Sequence, residues 1–215
     1  MHRKLEIHPK GLLAEVIDRL RGRDQLLIQA GGELPLVVAS YPRGNYGFAA
    51  SLQSALGPTF RSISPDTREA YRDVLARVPS LVVVVLRARN RCTCLGHHHF
   101  PGTEGRLARR LSADVGRQVG EIDLAVEAIR RWEPLPLSGL AVAEGWELAA
   151  HPSRAELEYE RFHTALLSIF LHELEHLAYP DRPEAEIRLR SNEFYLAAVR
   201  EFVAAEFGAT FGIEA

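Results

Sequence analysis

The chain has 215 residues, of which 47% are hydrophobic and 25% charged, with a formal net charge of −2. This is the composition of an ordinary globular protein long enough to bury one sizeable core. The near-neutral charge gives no support for recognition of nucleic acid or of an anionic membrane surface through bulk charge. The longest apolar run, Leu81 to Leu86, is far too short to span a bilayer.

In chain order, Met1-His-Arg-Lys-Leu-Glu-Ile leads into polar residues, without the apolar stretch of a signal peptide. Gly11 to Arg21 carries Leu12, Leu13, Val16, Ile17 and Leu20 at helical spacing. Gln25 to Ala30 and Leu34 to Ser40 read as two strands around Gly31-Gly32. A turn follows at Arg43 to Gly47, then a short helix over Phe48 to Leu56, and Asp66 is expected to cap a helix ending near Ala76. The β-branched run Leu81 to Leu86 suits a central strand. Arg91 to Pro101 reads as strand then turn, and Gly102 to Arg117 as a basic loop. Gly120 to Val126 alternates, which predicts a strand with Ile122, Leu124 and Val126 inward and one polar face. Trp132 to His151, with its prolines and glycines, resembles an insertion.

Ser153-Arg-Ala-Glu156 is a capping box opening a helix to about Ala178. Asp181-Arg-Pro-Glu184 caps the next helix, which runs to about Phe207 and stops at Gly208. The pattern predicts one α+β domain over residues 1–215: an α/β part at 1–80, strands within 81–126, and two long helices within 153–208.

The first of those helices holds His172-Glu173-Leu174-Glu175-His176, a match to H-E-x-x-H. Residues four apart share one helix face, so the two imidazoles can aim at one Zn²⁺ while Glu173 reaches a metal-bound water as general base. Leu166, Leu167, Ile169, Phe170, Leu171, Leu174 and Leu177 make the surrounding helix apolar almost all round, which predicts burial. Buried imidazoles and a carboxylate demand a partner, and a metal supplies one. A catalytic zinc takes a third protein ligand. No histidine follows His176, so the candidates are Glu193, at mid-helix in the following element, then Glu186 and Glu201, or residues of the Cys92–His99 segment.

Two histidines and a glutamate from a following helix resemble the gluzincin class of zinc metallopeptidases. Cys94-Leu-Gly-His-His-His, then Gly120-Glu-Ile-Asp-Leu, then the apolar helix with its motif is similar to minimal zincins of the SprT-like and phage-metallopeptidase type. That resemblance spans roughly residues 81 to 200 and implies a mixed sheet whose edge strand holds an extended peptide above the metal. Gly120 to Val126 would be that strand. One departure is the third ligand, for which SprT-like proteins commonly use a histidine.

Cys92-x-Cys94-x-x-His97-His98-His99 places five potential ligands together. It reads as an active-site wall with His97 near substrate, as a second metal site, or as a polar strand end. Gly47-Phe-Ala-Ala50, Cys94-Leu-Gly96 and the H-E-x-x-H motif also occur in the order of the peptide-deformylase motifs, which would make Cys94 the third ligand. The two cysteines cannot build a long-range disulfide framework, so a reducing cytoplasm is the expected compartment.

The expectation is therefore a zinc-dependent metallohydrolase cleaving amide bonds in a peptide or protein substrate, with no nucleic acid or membrane partner. His172, His176 and Glu193 are the expected metal ligands and Glu173 the base; Tyr195, Tyr179 and His97 are candidates near substrate or oxyanion. A non-catalytic, zincin-like metal-binding module is the third possibility.

Overall fold

The computed structural model describes residues 22–28, 35–62, 64–90, 92–100, 102–132, 146–147, 154–207 and 210–211. The helix expected over 11–21, the Ser153 cap and most of the 132–151 segment lie outside the described residues.

The strands β1 (Arg23–Ile28), β2 (Leu36–Pro42), β3 (Leu81–Arg87), β4 (Gly96–His99) and β5 (Gly120–Ala125) form one sheet of order β1-β2-β3-β5-β4. β2, β3 and β5 run parallel in the middle, and β1 and β4 close the two edges antiparallel. The chain is thus α+β with a mixed, open sheet. β-Branched Val82, Val83, Val84 and Val85 are buried on both faces of β3, as expected for a central parallel strand.

Alternation along β3 and β5 divides the interior. Val82, Val84, Leu86, Ile122 and Leu124 face the larger core. Val83 and Val85 face a smaller one, covered by Ala108 and Leu111. Those two belong to α4 (Arg106–Val115), a helix where the sequence predicted a basic loop. Its two buried residues lie three positions apart while Arg106 and Arg109 are exposed, which masks the helical signal when charge is read alone.

The larger core is filled by α1 (Tyr46–Ser62), α6 (Arg154–Ala178) and α7 (Glu184–Phe207). α1 is longer than the predicted Phe48–Leu56. The helix expected to start at Asp66 is two: α2 (Pro65–Ala70), capped by Ser64, whose hydroxyl accepts the Thr67 N–H at 3.2 Å, and α3 (Arg72–Arg77). A further short helix, α5 (Val126–Arg131), follows β5 directly, so Val126 opens a helix and does not end a strand. β6 (Trp146–Glu147) and β7 (Thr210–Phe211) pair separately.

β5 is an interior strand, against the expectation that Gly120 to Val126 forms the substrate-facing edge. Its alternating carboxylates, Glu121 and Asp123, are buried rather than solvated, because β4 pairs beside them. The edge next to α6 is β4.

Tyr71 stands at the break between α2 and α3 and ties them to α7. Its ring stacks on Phe194 at 3.8 Å between centroids, and its hydroxyl accepts the Phe194 N–H at 3.2 Å. Burial, with the Glu175 carboxylate nearby, pushes its phenol well above the usual range. Tyr71→Phe keeps the stack and removes the acceptor. We expect a loss of about 1–2 kcal/mol in urea unfolding at unchanged m-value; an unshifted midpoint would mean the hydroxyl contributes nothing.

Candidate metal centre

Over Ala165–Ala178, α6 lines the larger core with apolar residues, interrupted by Ser168 and the motif. Leu166, Leu167, Phe170, Leu171 and Leu174 are buried. The two motif rings stand edge to face, 4.8 Å apart. His172 and His176 are partly exposed, and both direct Nε2 at the same carboxylate, that of Glu184. The separations are 3.4 Å from His172 to Oε1 and 2.9 Å from His176 to Oε2. Ligand atoms bound to one tetrahedral ion at about 2.0–2.1 Å stand about 3.4 Å apart, so this set is close to a closed cation site. One ligand atom from each of His172, His176 and Glu184 lies within 4.8 Å of the other two. The electrostatics suit a cation as well. Burial pushes the His172 pKa below its ordinary value, keeping its lone pair available near neutral pH. Burial tends to raise Glu184, but the Arg188 guanidinium, hydrogen-bonded at 3.0 Å, and the two imidazoles hold its carboxyl below the usual range.

The carboxylate beside the motif histidines is that of Glu184, and not that of the expected ligand Glu193. The physical reason is helix phase. Glu193 is nine positions beyond Glu184, about two and a half turns at about 100° per residue, and so faces the opposite side of α7. It is exposed there, as is Glu186 on nearly the same face. The side chain of Glu201 lies outside the described residues. In the sequence Glu184 reads only as part of the helix start, a common place for a carboxylate. Its position one short turn after α6 was the signal available.

Glu173 is 6% exposed and bonds to His98 Nδ1 at 2.8 Å through Oε2. His98 comes from β4 and stacks on His176, 4.5 Å between centroids with the rings 17° apart. A side chain at Gly96 would collide with this arrangement: an added Cβ would stand 2.6 Å from Glu173 Oε1 and 2.7 Å from Ile169. Glycine is what lets β4 lie directly on the motif helix. A cavity of about 530 Å³ opens beside the cluster, walled by Gly96, Trp132, His172, Glu173, Glu184 and Arg188.

The other expected substrate-facing residues are elsewhere. His97 is exposed on the opposite face of β4, and it is His98 that meets the motif helix. Tyr195 is buried in the core. Tyr179 stacks with Arg182 at 3.5 Å, near Arg77 and Arg190. Cys94 lines the cavity, but its sulfur is joined to Cys92 in a disulfide and groups with His97, not with the motif histidines. No family model, curated protein or solved structure matches the chain.

Two substitutions separate the carboxylates. Glu184→Ala should weaken zinc binding by at least about 10–100-fold, the loss typical of disturbing even a supporting residue of a metal site. Glu193→Ala should leave it unchanged. Competition with a chromophoric chelator measures both, and the reverse ranking would reject Glu184 as ligand. Gly96→Ala should lower stability by about 1–3 kcal/mol through overpacking against Glu173, read by thermal unfolding; wild-type stability would show that β4 is not in contact with α6.

Proposed function

We propose that the chain is a zinc-dependent metallohydrolase that cleaves amide bonds in extended peptide segments. The observation that carries the reading is the convergence of His172, His176 and Glu184 beside a buried, hydrogen-bonded Glu173 at the wall of an open cavity. Two imidazoles and one carboxylate are a donor set of catalytic zinc sites, which keep one position open. A zinc ion held there supplies Lewis acidity and lowers the pKa of water toward about 7.

The chain's own residues supply the rest. Glu173 is the general base and carries the proton to the leaving amine. The hydrogen bond from His98 fixes its carboxylate by Oε2, leaving Oε1 to take the proton. An intact base so positioned favours catalysis over a purely structural site, which needs none. β4 ends the sheet beside the cavity, and its outer edge is unpaired among the described residues. Backbone hydrogen bonds from such an edge hold an extended chain without regard to its sequence. Trp132, 38% exposed at the cavity wall, offers an apolar surface for a substrate side chain.

Glu173→Gln tests the mechanism. The amide keeps the shape but cannot accept the proton, so zinc content should stay at the wild-type level while peptide hydrolysis falls by about 10²–10⁴-fold. Cleavage of a denatured protein substrate, followed by mass spectrometry, gives the readout. Undiminished cleavage by the variant would reject Glu173 as base. If the zinc-loaded wild type cleaves nothing across a broad peptide library, the non-catalytic metal-binding reading replaces this one.

A further inference from the structure

We propose that the chain holds a second divalent cation on the opposite face of the same sheet edge, bound by His99, Glu121 and Asp123. The pairing of β4 with β5 puts His99 across from Glu121 and His97 across from Asp123. Side chains of directly opposed residues share a face. This face is the one covered by α4, while Gly96 and His98 point the other way, toward α6. One ligand atom from each of His99, Glu121 and Asp123 lies within 4.8 Å of the others. His99 Nε2 stands 3.3 Å from Asp123 Oδ2, near the separation of about 3.4 Å for two ligands on one tetrahedral ion.

The charge balance points to a missing cation. Glu121 is 1% exposed and Asp123 6%, on one face and two positions apart. Buried carboxylates repel one another and lose hydration, so each needs compensation. Asp123 receives the Arg87 Nε–H at 2.7 Å on Oδ2, and Glu121 receives the Gly105 N–H at 2.6 Å. Gly105 is held so close that an added Cβ would lie 2.5 Å from Glu121 Oε1. Asp123 Oδ1 nevertheless remains buried without a hydrogen-bond partner. The Arg87 guanidinium, the Gly105 N–H and the His99 imidazole face the two carboxylates and still leave Asp123 Oδ1 unbonded; a divalent ion held by His99 and both carboxylates completes the set.

An imidazole with two carboxylates accepts zinc or manganese. Both carboxylates sit on an interior strand and the imidazole on the edge strand, so the ion ties β4 to β5. Its role is to fix the strand that carries His98, and it does not depend on the peptidase reading.

The test counts metal in the full-length protein. Samples stripped with a chelator, reloaded with zinc chloride or manganese chloride and desalted are measured by mass spectrometry of the elements. We expect two ions per wild-type chain, one after His99→Gln, and one in the His172→Ala/His176→Ala variant. Adding His99→Gln to that double variant should remove the last ion. Zinc should also raise the melting temperature of the double variant, but not of the triple variant. Should the motif variant fail to fold, the drop from two to one in His99→Gln carries the test, with circular dichroism confirming an unchanged fold. A wild type that binds a single ion, lost with the motif histidines, would overturn the proposal and leave these carboxylates to Arg87 and His99. A second ion that survives His99→Gln, with sulfur neighbours in its X-ray absorption spectrum, would overturn it in favour of Cys92 and Cys94 with their disulfide reduced.

Discussion

The geometry of the candidate centre depends on a buried clamp behind it. Glu175, the fourth residue of the motif, is 1% exposed and points away from the histidines. Its Oε1 accepts from Arg190 Nε at 2.7 Å and Arg182 Nη1 at 3.2 Å. Arg182 lies in the turn between α6 and α7 and Arg190 in α7, so one carboxylate fixes both the turn and the rotation of the second helix. Tyr179 lies under these guanidinium groups, 3.5 Å from Arg182 and 5.4 Å from Arg190. A buried carboxylate left without its cations destabilises a fold by about 3–5 kcal/mol, so the clamp admits few alternative arrangements. Rotating α7 by the half turn that would bring Glu193 to the histidines would take Arg190 away from Glu175.

The clamp has a consequence for chemistry. Because it fixes α7 at its first turns, Glu184 arrives over His172 and His176 from the helix start. Arg188, one turn further along, pairs with the same carboxylate. The cluster therefore combines rigid placement with an open side toward the cavity. Glu173 is fixed from a different direction, by His98 of the edge strand. Two independent elements, a helix hairpin and a strand, must meet for the site to form. The bare backbone of Gly96 is what permits that meeting.

The sheet edge also separates two ligand-rich clusters by nothing more than the period of a strand. His98 belongs to one face, and His97 and His99 to the other. The polar positions of β5, Glu121 and Asp123, serve the second face, while Ile122 and Leu124 fill the larger core. Alternation in β5 is visible in the sequence as one polar face, but what covers that face is not. An additional strand and the helix α4 cover it.

What the sequence determined by itself follows from short-range rules. The i, i+4 spacing of His172 and His176, the apolar surroundings that bury their helix, the end of α6 near Ala178 and the start of α7 after Pro183 are consequences of local periodicity and capping. So is the central strand at Leu81–Leu86, since consecutive β-branched residues fit a strand buried on both faces. Tertiary structure alone decided which carboxylate joins the histidines, which strand forms the edge and which of three adjacent histidines meets Glu173. Each depends on how two distant segments are rotated or ordered against one another, set by the Glu175 clamp and by β4 pairing with β5. A sequence read one element at a time fixes the residues that share a face, but not what that face will meet.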